Sequence, residues 1–513
     1  MKGVKRFGRR EWLVAGSFFV VGLALRMPFR SELAYHGDSA EFALAIREYN
    51  VALSQPHAPG YFLYVMLGRL VHCFVADPNA SLVWLSVVFG SALVAVFYLL
   101  SLAMFGRRTG MAAALFAMTS AQTWFHSEVA LTYVVDAFLV CVTVLWCWRA
   151  TQRGGMWGDA VGAGVLLAMV GGVRQQTVVG LAPVVVFAFW RFDRQRAGKL
   201  AVAAGVALVL ALVWFLPMVK MSGGLPVYLE IVRQHAANNA LATFAGGGRE
   251  ALVQNIFFVG AACWNGLLVG AVLLAGALLY RVFAMSREGK RQWDIEHRLA
   301  MQVLAAWIVP MFLLGTVIGF TSQMGYVLSY LPGLLLLAGL VAAQLRRRWL
   351  FIATTAIVCV VNAVAFLAWL GSWDRVLQDA GLTARAIREH DAQMAKTVEI
   401  IRSRYGPADV IVCHAEYYRF GFRHFQLYLP EFDHYQMWRD PTMLSPAGEP
   451  LWRARRGHLE SVAGLDFSGK ETALLVVPPG WGLEIFGHYL DVEGAQPVSG
   501  SAGTLYSLPV RGL

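Results

Sequence analysis

The chain has 513 residues, of which 58% are hydrophobic and only 15% are charged. A soluble domain has roughly 25% charged and about 45–50% apolar residues, so this composition excludes a soluble multidomain protein. Collagen-like and low-complexity classes are excluded as well, because aromatic residues make up 13% of the chain. These numbers predict a polytopic membrane protein.

Eleven apolar segments have about the length that a helix needs to cross a bilayer, and they predict eleven transmembrane helices. Their residue ranges are 12–27, 81–104, 110–126, 129–149, 157–172, 176–192, 200–219, 256–280, 299–319, 326–345 and 350–370. An odd number of helices places the two ends of the chain on opposite sides of the membrane.

The net charge of +11 comes from short basic clusters that alternate with the apolar segments. The clusters are Lys2 to Arg10, Arg107 and Arg108, Arg149 and Arg153, Arg191 to Lys199, Arg281 to Arg298, and Arg346 to Arg348. With a cytoplasmic N-terminus, all of them fall on the cytoplasmic side, as the positive-inside rule requires. The charge therefore indicates a multi-pass protein of the plasma (inner) membrane, in contact with membrane lipids and not with nucleic acid.

Residues 371–513 are more polar and alternate between helical and strand-like patterns. A helix is predicted over 383–405, and strands are predicted over 409–413, 473–477 and 504–508. The expected fold is thus an α-helical polytopic membrane domain, residues 1–370, followed by a small extracytoplasmic α/β accessory domain, residues 371–513.

The first outer loop, residues 28–80, places Asp38 and Glu41 three positions apart at the start of a predicted helix. One interpretation is a capping box, in which Asp38 caps the helix and Glu41 bonds back to it. The other is a pair of carboxylates at the membrane boundary, with Asp38 as a general base.

The same loop continues with a turn rich in proline and glycine that contains His57 and Tyr61. A rigid turn is the structural interpretation of this motif. An amphipathic stretch follows to about Phe74 and predicts a helix lying in the membrane interface, at the depth of a lipid head group.

Acidic side chains also occur at the outer end of the third and fourth predicted spans. Glu128 falls in a tight hairpin and is either a solvated carboxylate or a site residue. Asp136 lies about two turns into the membrane, where an acid is usually functional or paired.

Arg174 breaks the pattern of positive charge, because its hairpin is on the predicted outer side. It is either a snorkelling side chain or a ligand for a phosphate at head-group depth. Gln323 and Tyr326 bring hydrogen-bonding groups to the same side. Four polar residues of the tail either face the acceptor or, as the favoured interpretation, are scattered surface polarity: Tyr417, Tyr418, Arg423 and His424.

Two motifs in the first outer loop resemble the GT-C superfamily of integral-membrane glycosyltransferases, in particular its O-mannosyltransferase-like branch. That branch typically has an Asp-Ser-Gly-Glu-like motif followed by His-Pro-Pro-Gly-Tyr-Pro-Leu-Tyr. This chain has Asp38-Ser39-Ala40-Glu41 and then His57-Ala58-Pro59-Gly60-Tyr61-Phe62-Leu63-Tyr64. Weaker similarities occur at Ser127-Glu128-Val129, Gly172-Val173-Arg174 and Gln323-Met324-Gly325-Tyr326.

The resemblance implies an inverting transfer of a sugar from a polyprenyl-phosphate donor to a hydroxyl of a protein or of an envelope glycan or lipid. It implies that Asp38 is the catalytic base. The expected site has Asp38, Glu41 and Glu128 as catalytic residues, and its substrate-binding residues are His57, Tyr61, Arg174, Gln323 and Tyr326. No cofactor follows from the sequence, and a divalent cation between Asp38 and Glu128 is left open as a candidate.

Two other functions fit the hydropathy. A transporter or lipid-linked-sugar flippase usually has internal repeats and polar residues at the membrane midplane, whereas this chain has no evident repeat and its polar residues gather at one surface. A non-catalytic envelope assembly protein is the second alternative, in which the loop motifs are only structural.

Overall fold

The computed structural model describes residues 7–190, 195–285, 295–319, 323–368, 382–415, 419–437, 451–455 and 458–510. The predicted boundary at residue 370 lies outside these ranges, as do Tyr417 and Tyr418. Within them, the chain forms a helical domain followed by a domain built around one sheet.

The described part of the helical domain contains sixteen α-helices, and most of them are long and apolar. Their bounds are α1 Arg9–Arg26, α2 Gly37–Arg47, α3 Phe62–His72, α4 Pro78–Phe105, α5 Arg107–Thr119, α6 Ala121–His126, α7 Tyr133–Arg153, α8 Trp157–Val173, α9 Gln175–Trp190, α10 Arg196–Met221, α11 Leu225–Asn238, α12 Phe244–Leu267, α13 Val269–Met285, α14 Ile295–Ile318, α15 Leu331–Ala343 and α16 Arg348–Ala368.

Six of these helices (α1, α4, α7, α10, α14 and α16) are long and apolar enough to cross a membrane, and the bent pair α12–α13 makes up to seven. Within the described residues, all eleven apolar segments lie mainly on helices, although eleven crossings remain a prediction. Two predicted spans are broken. Residues 110–126 divide between α5 and α6 at Ser120, and residues 256–280 bend by 105° at Leu268. Hydropathy does not detect such breaks, because Leu268 is itself apolar and a single Ser120 hardly changes the mean hydropathy of its segment.

The described part of the tail has two α-helices, α17 Ala384–Arg404 and α18 Phe422–Tyr428, around a seven-stranded sheet. The strands are β1 Val410–Ala415, β2 Asp433–Met437, β3 Leu451–Arg455, β4 His458–Val462, β5 Thr472–Val476, β6 Gln496–Pro497 and β7 Leu505–Pro509, in the order β4-β3-β2-β1-β5-β7-β6. The central strand β1 runs parallel to both its neighbours, and the other pairs are antiparallel. Both faces of β1 are buried, as expected for a strand covered on two sides. The predicted α/β character is confirmed.

The tail packs on the first loop of the helical domain. The carboxylate of Asp391 accepts hydrogen bonds from the Glu32 N–H (2.7 Å) and the Ser31 hydroxyl (3.1 Å). The hydroxyl of Tyr428 accepts one from the Ala34 N–H (2.7 Å). Helix α18 lies against α2, so the tail covers the loop that carries the predicted catalytic residues.

Candidate active site

Helix α2 begins one residue before the predicted base. Its N-cap is His36, whose Nδ1 accepts the Asp38 N–H at 3.1 Å. The capping-box interpretation of Asp38 and Glu41 is therefore wrong, because the imidazole provides the cap. Both carboxylates are left free to contact other parts of the chain.

The Asp38 carboxylate is held by polar groups from two distant segments. Gln323 Nε2 donates to Oδ2 at 2.7 Å, and Oδ1 lies 3.5 Å from His36 Nδ1 and 3.9 Å from His57 Nδ1. Burial alone would raise the pKa of Asp38, but the nearby His57 and the hydrogen bond from Gln323 outweigh it and hold the pKa well below its usual range. The carboxylate is therefore ionised at neutral pH, as a general base must be.

Glu41 and His57 form a close pair beside Asp38. His57 Nδ1 lies 2.6 Å from Glu41 Oε2, and its backbone N–H donates to the same oxygen at 3.3 Å. Burial would lower the pKa of His57, but the carboxylates of Asp38 and Glu41 outweigh it and raise the pKa to about 9. Tyr49 holds the turn that carries His57, because its hydroxyl donates to the Gly60 carbonyl at 2.6 Å.

Arg174 lies between two aromatic rings. Its guanidinium carbon is 4.4 Å from the ring centre of Tyr133 and 4.4 Å from that of Tyr326. Nη1 donates to the Thr132 hydroxyl at 3.0 Å, whereas Nη2 is buried and has no hydrogen-bond partner among the described residues. Tyr133 also donates to Gln323 Oε1, so one chain of contacts runs from Asp38 to the guanidinium.

A cleft that opens to solvent adjoins this chain of contacts, with about 750 Å³ of empty space when the solvent at its mouth is included. At its polar end lie Arg174, Gln323 and Asp136, whose carboxylate accepts the Thr177 hydroxyl at 3.0 Å. Its other wall is apolar and comes from α12 and α14: Phe258, Val259, Ala262, Met311 and Leu314. The cavity can thus take a ligand with an anionic head and an apolar tail.

Tyr61 belongs to the same site, since its ring centre lies 5.1 Å from that of His57. Glu128 is placed differently. Its carboxylate is buried near Arg26 and Trp124, and among the described residues no hydrogen bond joins it to the groups around Asp38. The structure thus brings together seven of the eight predicted site residues, and the catalytic role of Glu128 remains a prediction.

Several neighbours of the site were not predicted. His36 and Tyr133 contact site residues directly, and the His235 ring on α11 stacks on His57 with ring centres 6.3 Å apart. Arg423, from the tail, has its Nε 3.7 Å from Glu41 Oε1. The interpretation of Arg423 and His424 as surface polarity is wrong, because both are buried between the domains. His36 directly precedes the Asp38 motif and was within reach of sequence reasoning, whereas Arg423 follows only from the docking of α18.

Asp38, Glu41 and His57 could hold a divalent cation, since one ligand atom from each lies within 4.8 Å of the others. Two carboxylates and an imidazole form a reasonable ligand set for such an ion. His57 would first have to release the proton that it shares with Glu41. The sequence left open a cation site between Asp38 and Glu128; the structure instead groups Asp38 with Glu41 and His57.

The polytopic helical domain and the small sheet domain confirm the predicted fold class, and their arrangement matches solved membrane proteins of the GT-C fold. The structure of ArnT from Cupriavidus metallidurans bound to undecaprenyl phosphate matches it with a TM-score of 0.60 and 14% identity, and the match covers 98% of both chains. The apo structure of the same protein matches with a TM-score of 0.50 and 13% identity, over 96% of this chain and 98% of that one.

No protein-family model matches the chain, and no curated protein matches it in sequence. The similarity to ArnT at this identity therefore establishes the fold. The O-mannosyltransferase branch remains a prediction.

Proposed function

We propose that the protein is a membrane glycosyltransferase that transfers a sugar from a polyprenyl-phosphate donor to a hydroxyl of an extracytoplasmic acceptor. One observation carries the proposal: the ionised carboxylate of Asp38 and the guanidinium of Arg174 are joined through Gln323 and Tyr133 beside a single cavity. A base and a phosphate-binding cation are the two groups that this reaction requires.

The cavity suits a donor of this kind at both ends. Arg174 offers the unpartnered Nη2 to a phosphate oxygen, and a guanidinium binds phosphate well. The apolar wall from α12 and α14 would receive the first isoprene units of the lipid. A structure of ArnT, which shares the fold, is bound to undecaprenyl phosphate, and this supports a polyprenyl phosphate as the carrier here.

In the proposed reaction, the oxygen of the acceptor hydroxyl attacks the anomeric carbon of the donor sugar. The bond from that carbon to the phosphate oxygen breaks, and polyprenyl phosphate leaves with the electron pair, stabilised by Arg174. Asp38 takes the proton of the hydroxyl. Since a free hydroxyl is far less acidic than Asp38, the proton moves only as the new C–O bond forms and the oxygen becomes positive.

A single displacement of this kind inverts the configuration at the anomeric carbon. Glu41 binds His57, which lies beside Asp38, and Tyr61 packs on the ring of His57. In the proposed orientation, the site and the tail face the extracytoplasmic side of the plasma membrane, where a protein or an envelope glycan or lipid supplies the hydroxyl.

The proposal is tested with purified protein in lipid vesicles and a set of radiolabelled polyprenyl-phosphate sugars. Transfer to acceptor, or release of free sugar by water, is expected for the unaltered chain. Asp38→Asn should lower the rate by about 10²–10⁴. Asp491→Asn, in an exposed turn of the tail, is the matched control and should leave the rate unchanged.

Full activity of a correctly folded Asp38→Asn protein would overturn the assignment of the base. Movement of labelled donor across the vesicle bilayer that survives loss of Asp38, without any transfer, would instead indicate a flippase.

A further inference from the structure

A buried arginine connects the tail to the acid cluster. Arg423 lies on α18 and is only 9% exposed. Its Nη2 donates to the Leu53 carbonyl at 2.9 Å, and its Nη1 donates to Gln426 Oε1 at 3.0 Å. Its guanidinium carbon lies 5.3 Å from the ring centre of Trp452. These contacts fix the position of the guanidinium from several sides.

The fourth contact of Arg423 is with Glu41. Arg423 Nε lies 3.7 Å from Glu41 Oε1, whereas His57 binds the other carboxylate oxygen, Oε2. Glu41 therefore stands between a cation of the tail and the imidazole next to Asp38. Each oxygen of this carboxylate has its own positively charged neighbour.

A carboxylate with one partner can rotate about its terminal torsion, because that torsion is broad and roughly two-fold. A second partner on the opposite oxygen restricts this rotation. Since His57 binds Glu41 through one oxygen only, the orientation of the imidazole relative to Asp38 depends on how the Glu41 plane is held. The buried charge of Arg423 also needs a partner of opposite sign, and Glu41 of the helical domain supplies it.

We propose that Arg423 is a positioning residue for the transfer reaction: through Glu41 it fixes His57 beside Asp38, so that the active site is complete only when the tail is docked. The inference rests on the proposed function. It assigns to the tail a part in the chemistry, in place of a purely accessory role.

The test compares two substitutions at Arg423 with one control at the same interface. Arg423→Met removes the charge and keeps a long side chain that can still pack against Phe422 and Trp452. Arg423→Lys keeps the charge. The control is Asp391→Asn, which weakens the contact of the tail with Ser31 and Glu32 without touching Glu41.

The measurements are kcat and KM for a polyprenyl-phosphate sugar and the melting temperature of each protein. Arg423→Met is expected to lower kcat by roughly tenfold to a hundredfold with little change in donor KM, because a misplaced group costs rate more than binding. Arg423→Lys should recover much of that loss. Asp391→Asn should keep its kcat even if its melting temperature falls.

A double substitution separates positioning from simple docking. If Arg423 acts through Glu41, combining Arg423→Met with Glu41→Gln should cost less than the sum of the two single effects. Additive effects would overturn the proposal, and so would losses of kcat in Arg423→Met and Asp391→Asn that merely follow their losses of stability.

Failure of this inference is distinguishable from failure of the proposed function. If the unaltered chain transfers sugar, Asp38→Asn does not, and Arg423→Met keeps its kcat, only the role of Arg423 is refuted. If the unaltered chain transfers nothing from any donor, the proposed function itself is wrong.

Discussion

The turn that carries His57 depends on a glycine that no other residue should replace without cost. Gly60 has a φ of +110°, which L residues rarely adopt. A Cβ added there would lie 2.8 Å from Met218 Sδ, 2.8 Å from the Tyr49 hydroxyl and 3.1 Å from Val51 Cγ2. We therefore predict that Gly60→Ala is destabilising and lowers activity.

The size of the effect follows from two contributions. A positive φ costs an L residue about 1–2 kcal/mol, and forcing extra volume into a packed site costs about 1–3 kcal/mol. The sum is about 2–5 kcal/mol of unfolding free energy. Because the Gly60 carbonyl accepts the Tyr49 hydroxyl, relief of the clash would move the turn and His57 with it, so kcat should fall as well.

Gly106→Ala provides the matched control. Gly106 also has a positive φ, +87°, but a Cβ there would meet nothing within 4 Å. Unfolding of both proteins in detergent, followed by thermal and denaturant titration, should show a clearly larger loss for Gly60→Ala. If the two variants lose the same stability, Met218 and Tyr49 give way freely and the steric part of the reasoning is refuted.

Three further predictions concern the site. Arg174→Met should weaken donor binding and raise KM by about tenfold to a hundredfold, because a charge-assisted contact is lost. Arg346→Ala, at an exposed position, is the control and should leave KM unchanged. Unchanged donor affinity in Arg174→Met would show that Arg174 only anchors the helix end at the membrane surface. Glu128→Gln should keep kcat within about twofold, because this carboxylate is buried near Arg26. A large loss of kcat in a stable protein would instead support the catalytic role predicted from the sequence. The third prediction is a pH dependence of stability measured in the presence of a chelator. Since the pKa of His57 is raised to about 9 in the folded protein, its contribution is fully present below about pH 6.5 and is lost as the pH rises through about 9. The difference in melting temperature between the unaltered chain and His57→Gln should shrink over that interval, and a constant difference would show that His57 is uncharged in the folded protein.

Much of the fold was predictable because the signals that define it are local. The hydropathy of each apolar segment is enough to predict that it lies in the membrane, and within the described residues all eleven segments lie mainly on helices. In the tail, the predicted helix is α17, and three of the seven strands were found. The strands that were not predicted are β2, β3, β4 and β6, and polar or charged residues interrupt each of them. They therefore lack the nearly continuous apolar run of β1 or β5.

The candidate site was predictable in its parts. The motif around Asp38 and Glu41 and the turn around His57 are both in the first loop, and the structure brings them into contact. Arg174 stood out because it is a positive charge on the predicted outer side, whereas the other basic clusters fall on the cytoplasmic side. In each case, a residue type stands out against its own neighbours in the sequence.

By itself, the sequence determined that the chain lies in a membrane, that it divides into an apolar and a polar part, and which residues are candidates for the active site. The tertiary structure alone decided which of them meet: Gln323 reaches Asp38 and Arg423 reaches Glu41, whereas Glu128 turns toward Arg26. The physical reason is the range of each signal. Hydropathy and helix caps act over a few residues, whereas these pairs are about 100 to 400 residues apart in the sequence and meet only because the helices pack and the tail docks.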